Sequence, residues 1–300
     1  MTAPRLLATL TASFAAASVA SAEPVFVLED VGTTQQLFSF DSASPSQTSN
    51  RVTITGLEND GEVLGIDFRP QTGELFGFTS NDNLFTLDTD TGAATIVGNG
   101  FADSLEGQGS FFGFDFNPVV DLIRIVSDTG TNIVVDEQTG SGNIADTTPL
   151  FFASGDVNEG ATPTVVGIAY DNSIPNPTTT QLRAVDAGLD VLATLDNNAG
   201  ELETIGSLGV DFIDILEFDV SGSTGVGYIA GIERGTTDSA LFTVDLLTGA
   251  ATRVGTINSG TTIAGIAVLN GPAAAVPTPG AAAAGLALLG GVLARRKRTA

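Results

Sequence analysis

Residues 84–98, Leu-Phe-Thr-Leu-Asp-Thr-Asp-Thr-Gly-Ala-Ala-Thr-Ile-Val-Gly, return near the far end of the chain as residues 241–255, Leu-Phe-Thr-Val-Asp-Leu-Leu-Thr-Gly-Ala-Ala-Thr-Arg-Val-Gly. Aligned without gaps, the two copies differ at four of fifteen positions. Internal repetition of this kind constrains architecture before any local reading does. Residues 84–87 alternate apolar and small polar side chains, the period of a half-buried strand. The Asp88-Thr-Asp-Thr-Gly92 stretch is turn chemistry: Asp bonds its own downstream backbone and Gly takes positive φ freely. Residues 94–97 are a second strand. The unit is therefore a β-hairpin, which is marginal alone and needs neighbours to bury its face.

A second motif precedes each hairpin. Gly65-Ile-Asp-Phe68, Gly113-Phe-Asp-Phe116, Gly167-Ile-Ala-Tyr170, Ile215-Leu-Glu-Phe218 and Gly265-Ile-Ala-Val268 line up, with starts 48, 54, 48 and 50 residues apart. That spacing matches the blade of a β-propeller. Full units run over 63–98, 111–152, 164–206 and 211–255. The fifth is split: 262–269 would supply its inner strand, and 24–29, 37–41 and 51–55 the other three. Pairing the two chain ends closes a ring and removes exposed sheet edges. The expectation is an all-β chain with a single five-bladed propeller domain over 23–270, six blades being the alternative.

The two ends read as addresses. Residues 1–22 have the form of a secretory signal: Arg5, a weakly apolar stretch to Val19, then the small-residue cleavage site Ala20-Ser21-Ala22 before Glu23. At the other end a Pro/Ala linker (271–279) precedes an uncharged apolar run to Ala294 and then Arg295-Arg296-Lys297-Arg298. The run is short of the roughly 20 residues that span a bilayer comfortably. The basic cluster is suited to stop translocation and stay cytoplasmic, so membrane insertion would be either transient, as for a sorting signal that is cut, or a permanent anchor.

Cysteine, histidine and tryptophan are absent, which excludes disulfides, Ser-His-Asp and Cys-His catalysis and the usual zinc sites. All 35 acids and only six Arg lie between residues 23 and 275, and the one Lys, Lys297, lies beyond. Such a body repels nucleic acid. The aligned inner strands place Asp67, Asp115, Ala169, Glu217 and Ala267 at one level, so Asp67, Asp115 and Glu217 would converge on the ring axis. Converging carboxylates suit a hard cation such as Ca²⁺, which would be the one cofactor, or the acid and nucleophile of a glycoside hydrolase. The other reading pairs Asp67 and Asp115 with Arg69, Arg124 or backbone N–H groups, setting strand register alone. A lactonase-type metal hydrolase is a third, weakened by the missing His. The hairpin acids Asp88, Asp90, Asp136 and Asp245 read as turn formers, since the sister copy has Leu247 where the first has Asp90.

Two resemblances follow from these residues. The tail Val276-Pro277-Thr278-Pro279, its apolar run and its Arg cluster resemble the PEP-CTERM sorting signal, in which Glu is usual at the place of Thr278. This resemblance implies processing by an exosortase-like enzyme after signal peptidase, and delivery to the cell surface or extracellular matrix of a Gram-negative bacterium. The stretches Gly113-Phe-Asp-Phe-Asn-Pro118 and Arg124-Ile-Val-Ser-Asp-Thr-Gly130, with Asp67-Phe-Arg-Pro70 upstream, resemble an uncharacterised family of secreted bacterial β-repeat proteins, a domain of unknown function. The family implies a propeller-like fold and no known activity. The expected function is a non-enzymatic surface or matrix protein binding a glycan or a surface protein, with a carboxylate-dependent glycoside hydrolase as the alternative.

Overall fold

The computed structural model describes residues 22–49, 51–57, 61–143, 147–257 and 262–269. None of these is helical. In chain order the strands are β1 (Pro24–Val31), β2 (Thr34–Asp41), β3 (Val52–Thr53), β4 (Val63–Phe68), β5 (Leu75–Thr79), β6 (Leu84–Leu87) and β7 (Ala94–Val97). There follow β8 (Phe112–Asn117), β9 (Leu122–Ser127), β10 (Asn132–Asp136), β11 (Gly142–Asn143), β12 (Phe151–Phe152), β13 (Val165–Tyr170) and β14 (Leu182–Asp186). The last are β15 (Val191–Asp196), β16 (Glu201–Ser207), β17 (Phe212–Val220), β18 (Gly227–Glu233), β19 (Ala240–Val244), β20 (Ala251–Thr256) and β21 (Ile263–Val268).

They form five sheets, antiparallel but for one added strand, the blades of a five-bladed propeller, with β4, β8, β13, β17 and β21 innermost. Blades one to four begin at β4, β8, β13 and β17. Blade five is the split one, β21-β1-β2-β3, in which β1 pairs with β21 from Val25↔Val268 to Glu29↔Ile263. The six-bladed alternative is thereby set aside. One boundary differs from expectation: Phe151–Phe152 does not close blade two but lies parallel to β16, as a fifth strand on blade three. Blade two ends instead at the short β11, and the chain crosses over to cover the outer edge of its neighbour, which an isolated meander would leave unpaired.

The core lies between blades rather than at one centre. Five buried clusters occupy the five blade junctions. Between blades one and two, Phe78 stacks on Phe114 at 5.2 Å and meets Phe112 edge-on at 5.8 Å. Where inner strands converge the side chain must vanish. A Cβ on Gly113 would lie 2.8 Å from the Ile168 nitrogen of the next blade. Thus the glycine that opens four of the five sequence motifs, Gly65, Gly113, Gly167 and Gly265, marks a close approach of adjacent blades.

The hairpin turns are repeated devices. Asp88 Oδ1 accepts from the Asp90 and Thr91 N–H groups and from the Thr91 hydroxyl. Asp136 does the same with Gln138 and Thr139, and Asp245 accepts from Leu247 and Thr248. These bonds hold the Asp88 and Asp136 carboxyls below their ordinary range. Each turn closes with a Gly at positive φ, Gly92 (75°), Gly140 (65°) and Gly249 (82°). At all three, an added Cβ would strike backbone of the preceding blade: Thr53 O, Val97 O and Gly206 O respectively. The repeated Asp-x-x-Thr-Gly is therefore a turn and a blade-to-blade spacer at once.

Candidate metal centre

Alternation along an inner strand sends every second side chain toward the next blade and the ring axis. On β4, β8 and β17 this places Asp67, Asp115 and Asp219, which are 2%, 3% and 3% exposed. One carboxylate oxygen from each lies within 4.8 Å of the others. The N–H of Phe116 donates to Asp67 Oδ2 (2.9 Å), that of Tyr170 to Asp115 Oδ1 (2.9 Å) and that of Val268 to Asp219 Oδ2 (2.5 Å). Each donor belongs to the blade after its acceptor. The carboxylates come from blades one, two and four and the donors from two, three and five, so this one cluster is tied to all five blades. Asp67 and Asp219 each accept a further bond, from the N–H of Phe68 and Val220. In blades three and five the equivalent positions are Ala169 and Ala267, both fully buried.

Burial is the main cause that drives the Asp67 and Asp115 carboxyls well above the ordinary carboxylate range. Their mutual proximity and that of Asp219 add to it. Asp219 is pushed up to about 6, again by burial first, held back by the Val268 and Val220 N–H groups and raised further by Glu23. Among the described residues no arginine pairs with these carboxylates. Arg69 pairs with Asp121 and Glu137. Arg124 donates to the side-chain oxygens of Asn132 and Asn198. Of the register-setting partners expected from sequence, the backbone N–H groups are the ones present. Two like charges 4.8 Å apart repel by about 3 kcal/mol even at an effective dielectric near 20. The cluster therefore holds protons or a cation. Its donor set is all oxygen and all carboxylate, the preference of a hard divalent ion. Oxygens on opposite sides of Ca²⁺ stand about 4.6–5.2 Å apart, from bonds of about 2.3–2.6 Å, so three oxygens within 4.8 Å of one another are on the scale of one such coordination shell.

Asp67 and Asp115 thus come together, but Glu217 does not join them. It lies two residues before Asp219, half-buried, at the level where the other blades carry Gly65, Gly113, Gly167 and Gly265. Burial, and then Asp30, push its carboxyl upward. The physical reason for the misplacement is local. Blade four lacks the inner-strand glycine, and β17 carries a register shift between Phe212 and Leu216. Aligning on Ile215 is therefore out by two. The sequence pattern does not separate Glu217 from Asp219, since Leu216-Glu217-Phe218 and Phe218-Asp219-Val220 are both apolar-acid-apolar triplets.

Of the expected processing signals, Ala20, Val276, Pro277, Thr278, Pro279, Arg295, Arg296, Lys297 and Arg298 lie outside the described residues. Ala22 is exposed.

A family model described as a domain of unknown function, DUF4394, matches residues 36–267. No curated protein matches the chain. Among solved structures it is similar to the hydrazine synthase of Kuenenia stuttgartiensis, at 13% identity and TM-score 0.39 over 68% of this chain and 52% of that one. It is also similar to TolB from Acinetobacter baumannii, at 12% identity and TM-score 0.44 over 79% and 53%. The chain spans about half the length of either structure.

Proposed function

Because the chain belongs to the DUF4394 family, whose function is unknown, we propose a role from its own chemistry: an exported, non-enzymatic propeller whose Asp67, Asp115 and Asp219 hold one divalent cation, Ca²⁺ by preference. The observation that carries this reading is the burial of three carboxylates within 4.8 Å of each other with no arginine among the described residues paired to any of them. A divalent ion offsets their repulsion and, through the carboxylates and their N–H donors, joins all five blades at one point. The protein would then be a rigid display platform at the cell surface or in the extracellular matrix, binding a glycan or protein partner through its loops. The signal-like residues 1–22, the PEP-CTERM-like tail and the excess of acid over Arg support that location.

The alternative, a carboxylate-dependent glycoside hydrolase, is disfavoured by the same geometry. Side chains at 3% exposure or less, 4.8 Å apart, leave no room for a sugar ring between them. Retaining enzymes need about 5–5.5 Å and inverting ones more, with substrate in the gap.

The test is melting temperature with chelator and with millimolar Ca²⁺. At a hundredfold excess over Kd the wild type should gain about 2.7 kcal/mol, several degrees. Asp115→Asn should lose the shift, while Glu217→Gln should keep it. A wild-type protein that melts identically in both conditions sinks the cation site.

A further inference from the structure

Just before β1 stands Glu23, 3% exposed in a chain where most acids face water. Its Oε1 accepts from the Ser221 and Ser223 hydroxyls, and its Oε2 from the Thr224 hydroxyl (2.9 Å) and the Tyr228 phenol (3.0 Å). All four donors belong to blade four: three sit in the turn between β17 and β18, and Tyr228 lies on β18. Glu23 belongs to blade five. The carboxylate therefore spans the junction next to ring closure. Its backbone N–H donates to Ser42 Oγ (3.1 Å), and its carbonyl accepts from the Ser42 N–H (2.8 Å).

The charges around this site share one sign. Asp219 on β17 is raised by Glu23, and Asp41 on β2 acts with Glu23 on Tyr228. No arginine pairs with Glu23 among the described residues. Hydroxyls orient a carboxylate but do not neutralise it, and a buried charge wants a counter-charge. The chain can supply one. Glu23 follows the small residues Ala20-Ser21-Ala22, and Ala22 is exposed while Glu23 is enclosed.

We infer that this pocket is the binding site for the protein's own mature amino terminus. Hydrolysis of the Ala22–Glu23 peptide bond adds water, leaves a carboxylate on Ala22 and turns the Glu23 amide nitrogen into an ammonium. That nitrogen already bonds Ser42, and as an ammonium it sets a positive charge on the same residue as the buried carboxylate. Export processing then locks blade five against blade four. The inference rests on cleavage after Ala22 and is independent of the cation.

The test compares two proteins released from a cleavable fusion, one beginning at Glu23 and one retaining Ser21-Ala22, with N-terminal sequencing of the exported protein alongside. The form beginning at Glu23 should melt about 3 °C or more higher. Glu23→Gln should shrink that difference. Ser42→Ala, which leaves the carboxylate intact, should lower the melting point of the Glu23-started form more than that of the extended form. Equal melting of the two parent forms overturns the lock. An exported protein that begins elsewhere than Glu23 overturns the cleavage premise instead.

Discussion

At the scale of residues, the central carboxylates make stability depend on pH in an unusual direction. Asp219 titrates near 6 in the folded chain, against an ordinary value of 3.8. The folded state therefore keeps a proton that the unfolded state gives up. Without a divalent ion, the associated stability is fully present below about pH 4 and is lost as pH rises through about 6. Asp67 and Asp115 act in the same direction. The shift in Asp219 alone corresponds to roughly 3 kcal/mol. In chelator, lowering pH from 7 to 5 should raise the melting temperature by several degrees, and saturating Ca²⁺ should flatten that slope. A cation-free protein that loses stability steadily from pH 7 to 5 would contradict the buried triad. The turn acids Asp88 and Asp136 work the other way. Their lowered values hold stability above about pH 4 that is lost as pH falls further.

At the scale of elements, the Asp-x-x-Thr-Gly turn joins local folding to ring assembly. Gly140 needs φ of 65°, and a Cβ there would lie 2.7 Å from Val97 O in the neighbouring blade. Gly140→Ala therefore carries a left-handed penalty of about 1–2 kcal/mol and a steric one at the junction between blades one and two. Asp136→Ala at the start of the same turn breaks only local bonds, so its effect should be smaller, near 1 kcal/mol. Urea unfolding of both variants tests this. A Gly140→Ala protein no less stable than Asp136→Ala would show that the turn does not space the blades. The same reasoning explains why the copies at 84–98 and 241–255 keep Asp, Thr and Gly while Asp90 gives way to Leu247. The kept residues make the turn and the contact, whereas Asp90 and Leu247 face out.

At the scale of the whole molecule, the ring is held by junctions rather than by a single core, and it is closed by its two ends. β21 and β1 come from opposite ends of the chain and pair over five residues. Closure and the Glu23 pocket thus lie at blades four and five, while the carboxylate cluster ties all five blades. The tail beyond residue 270 lies outside the described residues. Replacing Arg295, Arg296, Lys297 and Arg298 by Ala should leave the melting temperature of the folded body unchanged while altering where the exported protein is found. Fractionation of cells and medium measures this, and an unchanged distribution would remove the sorting role proposed for the tail.

The sequence by itself determined the architecture, because repetition is local information. Hairpins, turns and inner-strand glycines recur with a spacing that only stacked blades accommodate, and the complementary ends of the chain foretell how the ring closes. It also determined that Asp67 and Asp115 share a level, since both sit in the same short motif. Tertiary structure alone decided the rest. The register shift in β17 exchanged Glu217 for Asp219, and such a shift depends on how a strand meets its partner rather than on its own residues. Phe151–Phe152 went to blade three because an outer edge there was open to pairing. Glu23, flanking an expected cleavage site, gained its role from hydroxyls about 200 positions away in the chain, brought near by ring closure.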